Sequence, residues 1–351
     1  ISAGFSYFLS DNTELSADAN HEKKKSDYVT WASVSDYVYD SAKVLLEHKD
    51  GSFSITAGAE LFDGKRDSHA TTWSIENKTT KDNAALFAAL GLTDGDNSYK
   101  LGIRGERVKY NYSDATQSLK QDDSLFGAEL GYNRVLNEQS SVFASFAHAY
   151  QAPDIDRFFN KDWAGVVSFN GSINPMKSDT LTIGYNLFTK LNKLKLSAYY
   201  AKLKDEIYYY NDPTWVASKN TNIDESHKWG VDIYDRWLIT KSVSAVINYN
   251  FVKAKIDEEI ENGENYSGSD LPSTPEHTIK ATLEYTPTNT ITVGLTQIYR
   301  SEAYALNDFS NSFTQKQEAY TSTDLSATYT HEKMEIFAKI TNLFNQKNGL
   351  W

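Results

Sequence analysis

The segment Ser242-Val-Ser-Ala-Val-Ile-Asn-Tyr-Asn-Phe251 alternates between apolar and polar side chains, with Val246 as the one exception. Successive side chains of a strand point to opposite faces, so this segment would carry one apolar and one polar face. The same alternation recurs in Phe53–Phe62, Thr290–Thr296 and Lys333–Thr341. A strand that crosses a membrane at a tilt needs about 9–11 residues, whereas typical soluble strands have about 5–6. Three of the four segments have nine or ten residues, which favours the wall of a transmembrane β-barrel.

Short and long connections alternate strictly between the strand-like segments. The short, polar ones lie at 49–52, 93–97, 136–139, 190–193, 239–242, 286–290 and 331–333, and the long ones lie at 10–37, 67–82, 113–123, 151–177, 209–223, 257–274 and 304–318. This rhythm is typical of an up-and-down antiparallel barrel with short turns on one side and long loops on the other. We expect about fifteen strands. They include Asn83–Leu92, which is rich in helix formers but lies between a long loop and an Asp-Gly turn.

The composition excludes several classes of protein. The 351 residues carry 35 Lys and Arg against 47 Asp and Glu, a net charge of -12, which disfavours a nucleic-acid partner. The chain has no cysteine, so neither a disulfide nor a thiolate metal site is possible. It also contains no nucleophile elbow, phosphate-binding glycine loop or His-Glu-x-x-His motif. We therefore expect no enzyme, no cofactor and no metal centre in this chain.

Five segments, in order, resemble the TonB-dependent receptor family. They are Phe143-Ala-Ser-Phe-Ala-His-Ala-Tyr-Gln-Ala-Pro153, Asn174-Pro175 followed by Ser178–Tyr185, Asn222–Ile233 with its Gly-Val centre, Leu271-Pro-Ser-Thr-Pro-Glu-His-Thr278, and Ile340-Thr-Asn-Leu-Phe-Asn345. Gln151 stands where the family often has Arg, and Met176-Lys177 departs from its usual spacing. Each motif alone is weak, but their shared order over 143–345 makes the resemblance specific.

The resemblance implies the fold, the location and the partners. It implies a barrel of about 22 strands that encloses a plug domain, with residues 1–351 as a partial barrel lacking the plug, the first strands and the last strand. The expected location is the bacterial outer membrane, and the expected partners are outer-membrane lipid, TonB (through the plug) and a ferric siderophore or similar metal chelate. A haem or cobalamin receptor of the same family, a passive porin or adhesin barrel, and a soluble β-sandwich stay open as alternatives.

The best candidates for ligand contact are an arginine and several aromatic residues of two long connections. Connections 151–177 and 209–223 follow strands that end on the same side, because one short turn, 190–193, separates them. A cation among flat rings could hold an aromatic, anionic chelate. The candidates are Arg157, Trp163, Tyr208, Tyr209, Tyr210 and Trp215.

The alternation also predicts which side chains share a face. We expect lipid-facing side chains at Ile55, Ala57, Val243, Ala245, Ile247, Ile291, Val293, Leu295, Ile336 and Ala338, and lumen-facing ones at Glu60, Asn248, Glu335 and Lys339. Haem receptors of the family use histidine ligands, and the candidates for that alternative are His21, His69, His148, His227 and His277.

Overall fold

The computed structural model describes residues 1–28, 33–71, 75–162, 167–169, 171, 173–211 and 217–348. Within these ranges the regular elements are all β-strands. A helix with the length and apolarity needed to cross a membrane is not found among the described residues. The all-β, antiparallel class expected from the sequence is therefore confirmed.

The described ranges contain twenty strands. They are β1 (Ser2–Ser10), β2 (Thr13–Tyr28), β3 (Ser33–Asp50), β4 (Phe53–Ser68), β5 (Asn77–Asp94), β6 (Asn97–Asp114), β7 (Ser118–Asn137), β8 (Ser140–Gln151), β9 (Phe159–Asp162), β10 (Val167–Phe169), β11 (Met176–Phe188), β12 (Asn192–Asn211), β13 (Ala217–Thr240), β14 (Val243–Glu258), β15 (Ile260–Glu261), β16 (Glu264–Asn265), β17 (His277–Thr288), β18 (Ile291–Arg300), β19 (Tyr320–His331) and β20 (Met334–Ile340).

The chain divides into two compact units. The first comprises Ile1–Tyr132, Ser145–Asp179 and Leu203–Glu225, and the second comprises Asn133–Ala144, Thr180–Lys202 and Ser226–Trp351. In the first unit, β1 to β6 pair antiparallel in sequence order. In the second unit, β14, β17, β18, β19 and β20 do the same. Neighbouring strands along the chain are thus neighbours in the sheet, as an up-and-down topology requires.

The strand register of the first unit separates an apolar face from a polar face. One cross-strand row is apolar throughout and runs through Leu15, Leu46, Ala57, Ala88 and Ile103. A row on the opposite face runs through Lys43, Glu60, Ala85 and Glu106. On that face Arg104 donates hydrogen bonds to Glu60 at 2.6 Å and to Glu106 at 3.0 Å. The expected opposition of Ala57 and Glu60 therefore agrees with the register.

The second unit repeats this division. One cross-strand row runs through Val243, Tyr285, Val293, Ala327 and Ala338, and a row on the other face runs through Ser244, Glu284, Gly294, Ser326 and Lys339. Lys339 makes a 3.1 Å ion pair with Asp324 on the polar face. The remaining residues that we expected on the two faces of this unit fall on the same two sides.

The strands are longer than the alternation alone indicated. The expected connection 10–37 contains the whole of β2, and 113–123 is strand apart from the short turn that joins β6 to β7. In β2 the period-two apolar signal is limited to Leu15, Ala17 and Ala19. From Asn20 onward, and in 113–123, both faces are mostly polar. Ladder hydrogen bonds join main-chain groups and need no apolar face, so the strands continue where the hydrophobic alternation stops.

The alanine- and leucine-rich segment Asn83–Leu92 is a strand, as expected, and lies inside β5. Its main chain pairs with β4 on one side and β6 on the other, with Leu90 between Ile55 and Leu101. Pairing along both edges outweighs the helix propensity of its residues, which amounts to only tenths of a kcal/mol per position.

One glycine of β13, the strand that carries the third family-like motif, is required by close packing. A Cβ atom added to Gly230 would lie 2.2 Å from the carbonyl oxygen of Phe251 and 2.7 Å from Oη of Tyr199. Neither distance is compatible with a side chain, because real Cβ contacts essentially never fall below 3.0 Å. Gly230 therefore lets the Tyr199 ring cross the strand at this point.

Candidate ligand-binding site

The segment Ala152–Phe158, which follows β8, folds back onto the strands of the first unit. The Pro153 carbonyl oxygen accepts hydrogen bonds from Lys81 Nζ at 2.9 Å and from Tyr110 Oη at 2.6 Å. Pro153 and Ile155 are fully buried. The Arg157 amide donates to the Asp154 carbonyl oxygen at 3.0 Å, which closes a turn within the segment. We call Ala152–Phe158 the docked segment.

A hydrophobic cluster anchors the docked segment. Phe158 is 2% exposed and packs with Val108, Tyr110, Tyr112 and Leu125. Its ring centroid lies 4.9 Å from that of Tyr110. These partners lie on β6 and β7, which contain few other apolar residues near the turn that joins them. Phe158 is thus an apolar anchor that holds the docked segment to these two strands.

A charged residue of the docked segment makes a second contact. Asp156 lies 3.1 Å from Nε of Arg66 and accepts a hydrogen bond from Tyr37 Oη at 3.1 Å. Arg66 is buried and also donates to the side chain of Asn77 at 3.3 Å. The Asp156 side chain is about half exposed, so this pair fixes geometry more than it adds stability.

The structure places Arg157 against β13. Its side chain is exposed, and Nη1 donates a 3.1 Å hydrogen bond to Oδ1 of Asn220. On the same strand, Asn222 Nδ2 donates to the Asp205 carbonyl oxygen of β12 at 2.8 Å. Arg157 is therefore held beside the end of β12 and the beginning of β13.

The three consecutive tyrosines stand at the end of β12. Tyr210 is 3% exposed, Tyr209 is 37% exposed, and Tyr208 is half-buried. Strand alternation puts Tyr209 on one face and its two neighbours on the other. Arg157 and Tyr209 thus present accessible groups within the first unit, whereas Tyr210 is unsuited to contact with a ligand in this conformation. Trp163 and Trp215 lie outside the described residues.

The return of the long connection to β11 is also fixed. Asn174 and Asn222 form a reciprocal pair, in which the Asn174 amide donates to Asn222 Oδ1 at 2.9 Å and Asn222 Nδ2 donates to the Asn174 carbonyl oxygen at 3.0 Å. Asn174 Nδ2 donates to Asp205 Oδ1 at 2.9 Å. Both ends of the connection are thus tied to the sheet, and a ligand that reached them would meet positioned groups.

Comparison with known proteins assigns the chain to a family. A model of the TonB-dependent receptor-like β-barrel matches residues 2–343. The chain belongs to the TonB-dependent receptor family. This confirms the resemblance that the five motifs carry. A search of curated protein sequences gave no match.

Solved structures of this family share the fold. The copper transporter OprC superposes with a TM-score of 0.81 at 15% identity, over 99% of this chain and 59% of its own length. The siderophore receptor PiuA from Acinetobacter baumannii gives 0.77 at 17% identity, over 99% and 60%. The ferric citrate transporter FecA gives 0.74 at 13% identity, over 99% and 56%. The chain spans less than two thirds of each, and identities this low bear on the fold alone.

The histidines named as haem-ligand candidates have side-chain neighbours. His21, His69, His148 and His227 each place a ring nitrogen 2.7 Å from an aspartate, respectively Asp40, Asp36, Asp179 and Asp257. His277 Nδ1 lies 2.9 Å from Tyr249 Oη. Within the described ranges, three or more His, Asp or Glu side chains do not gather into a group that could hold a metal ion.

Sequence reasoning missed the residues that support the site. Arg66, Tyr37 and Lys81 contact the docked segment across 72 to 119 positions of the chain, and Asn174 is tied to Asn222 across 48. The available signal was the polar character of the strand ends that carry them. Those polar strand ends would have suggested a hydrogen-bonded surface under the docked segment, but not which residues pair with which.

Proposed function

We propose that this chain is the barrel portion of a bacterial outer-membrane receptor that imports a metal chelate, with a ferric siderophore as the leading class of ligand. TonB supplies the energy through the plug domain that the family assignment implies. No covalent chemistry takes place on the ligand. The two apolar faces found in the register suit contact with lipid, and the polar faces suit a solvated lumen.

The choice of a ferric siderophore as the ligand class rests on the position of Arg157. Its guanidinium is exposed, yet it is held by Asn220 next to the strand that bears Tyr209. A fixed cation loses less side-chain freedom on binding an anion than a mobile one does. A flat, anionic chelate would use both the charge and the aromatic ring. Trp163, Tyr208, Tyr210 and Trp215 complete the proposed contact set, with Tyr210 requiring a local rearrangement.

Copper is the competing cargo, because a copper transporter is among the structures that share this fold. Haem and cobalamin also compete with the siderophore as cargoes of an energised receptor. A passive porin or adhesin barrel would use no energy from TonB at all. These candidates differ in the cargo that accumulates and in whether accumulation needs TonB.

The test is accumulation by cells that express the intact protein. A strain without other receptors would be supplied in turn with radiolabelled ferric siderophores, copper, haem and cobalamin, with and without TonB. We expect TonB-dependent accumulation of a ferric siderophore. Accumulation of copper, haem or cobalamin instead, or of any cargo equally well without TonB, would refute the proposal.

Variants then test the contact set. With the transported chelate, Arg157→Ala and Tyr209→Ala should each weaken binding to the intact receptor by about tenfold or more, because each removes a charge-assisted or aromatic contact. Arg134→Ala, which removes an exposed arginine near the turn that joins β7 to β8, is the matched control and should bind normally. Normal binding by all three variants would reject the site while leaving the transport function standing.

A further inference from the structure

A polar pocket lies in the second unit, beside residues 252–254 of β14 and the first residue of β17, where the loops that precede β17 and follow β18 meet. Its volume is about 300 Å³, and the side chains that define it are Lys253, Asp270, Glu276, Glu302, Tyr304 and Lys316. Pockets for small ligands span about 300–1,000 Å³, so this one would hold a single small ring. The contact set proposed above uses none of these residues.

The walls of the pocket are locked together. The Asp270 amide donates to Asn311 Oδ1 at 2.6 Å, and Asn311 Nδ2 donates back to the Asp270 carbonyl oxygen at 3.0 Å. The Ser273 amide donates to the Tyr304 carbonyl oxygen at 2.9 Å. A pocket whose walls are fixed before binding loses little freedom when a ligand enters.

The charges of the pocket are already paired. Lys316 Nζ donates to Glu302 at 2.9 Å and lies 4.8 Å from the centroid of the Tyr304 ring. Lys253 donates to Glu276. A strongly charged ligand would have to compete with these pairs. A neutral ligand with hydroxyl groups would not, because a hydroxyl can donate to a carboxylate and accept from an ammonium group.

One acceptor in the wall lacks a donor. Oδ1 of Asp270 is buried and receives no hydrogen bond from the described residues. The ammonium groups nearest the Asp270 carboxylate are Lys253 at 3.8 Å and Lys255 at 4.0 Å, both beyond hydrogen-bond distance. Oδ1 is closed off from solvent, but the Asp270 side chain is 27% exposed, so its other carboxylate oxygen, Oδ2, is the acceptor that a ligand hydroxyl can reach.

Aromatic rings of the apolar face adjoin the pocket. His277 lines it, and the His277 ring centroid lies 5.2 Å from that of Phe251. Phe251 in turn lies 5.2 Å from Trp229. Phe251 and Lys253 are two positions apart on β14 and so share a face. The polar pocket is therefore continuous with an apolar, ring-lined surface, which is the arrangement that an amphiphile with a compact polar head requires.

We propose that this pocket binds the neutral sugar headgroup of a glycolipid, with the attached alkyl chain lying along Phe251 and Trp229. The sugar hydroxyls donate to Asp270 and Glu302 and accept from Lys316. The site is separate from the proposed uptake route and binds the surrounding membrane rather than the imported cargo.

The test uses the full-length receptor, purified in an amine-oxide detergent that contains no sugar. Saturation-transfer NMR would measure binding of octyl β-glucoside and methyl β-glucoside. We expect octyl β-glucoside to bind about tenfold or more tightly than methyl β-glucoside, and Phe251→Ala to remove that advantage. Asp270→Asn and Glu302→Gln should each weaken octyl β-glucoside binding by about tenfold, because each removes a charged acceptor. Asp270→Asn keeps the main-chain contacts with Asn311.

The matched control is Glu318→Gln, the same substitution at an exposed position of the loop that carries Lys316. It should bind like the wild type. Heat-modifiable electrophoretic mobility would establish that each variant is folded, and cargo uptake should be unchanged in all of them. The proposal is overturned if octyl β-glucoside shows no saturation transfer, if Asp270→Asn and Glu302→Gln bind like Glu318→Gln, or if the methyl and octyl glycosides bind equally, since the last result would mean a site for free sugar.

Discussion

Substitution of Phe158 by alanine should release the docked segment from the sheet. Phe158 is 2% exposed and packs against rings on β6, a strand paired along its length. A buried Phe→Ala change costs about 3–5 kcal/mol, through lost burial and the cavity left behind. Tyr110 and Tyr112 are held on a rigid ladder and cannot close that cavity, so we expect a value in the upper half of this range. Each 1.4 kcal/mol is a factor of ten, so local opening should increase by roughly 10³-fold or somewhat more.

Hydrogen exchange measured by mass spectrometry on the detergent-solubilised receptor would report this opening. The Arg157 amide is the internal probe, because its proton is bonded to the Asp154 carbonyl oxygen only while the turn is formed. Exchange in 152–158 should accelerate by the same factor, with little change in β18 and β19. Phe337→Ala, at a phenylalanine that is 61% exposed, is the control. If the protection of 152–158 survived Phe158→Ala, the hydrophobic anchor would not be what holds the segment.

Three further changes test other parts of the molecule. Gly230→Ala should lower the free energy of unfolding by about 1–3 kcal/mol, because its Cβ would overlap the Phe251 carbonyl oxygen. Urea unfolding measures this change. The control is Gly105→Ala, which has open space around it and should have no effect. Leu295→Arg should lower the free energy of unfolding in lipid by roughly 2–4 kcal/mol. Thr328→Arg, on the opposite face, should lower it clearly less. Equal losses would contradict the assignment of the two faces. Hydrogen bonds from Tyr112, Thr116 and Gln117 hold the pKa of Asp114 well below its ordinary 3.8. The turn at 114–117 should therefore keep its stability above pH 3.8 and lose it as the pH falls further, seen as faster exchange there but not at the 94–97 turn.

The fold could be predicted from the sequence wherever one strand face is apolar. In Val243–Phe251 the alternation and the observed register agree, because lipid or core contact forces every second side chain to be apolar. For β2, Thr13–Tyr28, the sequence pattern instead predicts a connection. From Asn20 onward its side chains are polar on both faces, and that part pairs with β3 through main-chain hydrogen bonds that no residue pattern records.

The candidate site was predictable only in part. Arg157 and the Tyr208–Tyr210 run stood out as a cation and rings in two connections on one side, and the structure places them in the same unit. The alternation within β12, which buries Tyr210 and exposes Tyr209, followed only once that run was known to be strand rather than loop. The partners Arg66 and Asp156 are far apart in sequence, and neither is distinctive by type. Long-range polar pairs of this kind depend on the fold.

The docked segment separates residues that hold it to the sheet from the residue that we propose contacts the ligand. The docked segment is held by Phe158, by the Pro153 carbonyl oxygen and by Asp156, all of which point toward the sheet. Arg157 is the neighbouring residue that points away from it and stays exposed. If Arg157 contacts the ligand as proposed, anchoring and recognition fall on different residues of one short segment. Substitutions at Arg157 should change which chelate binds at little cost in stability, whereas substitutions at Phe158 should weaken binding of every ligand by loosening the platform itself.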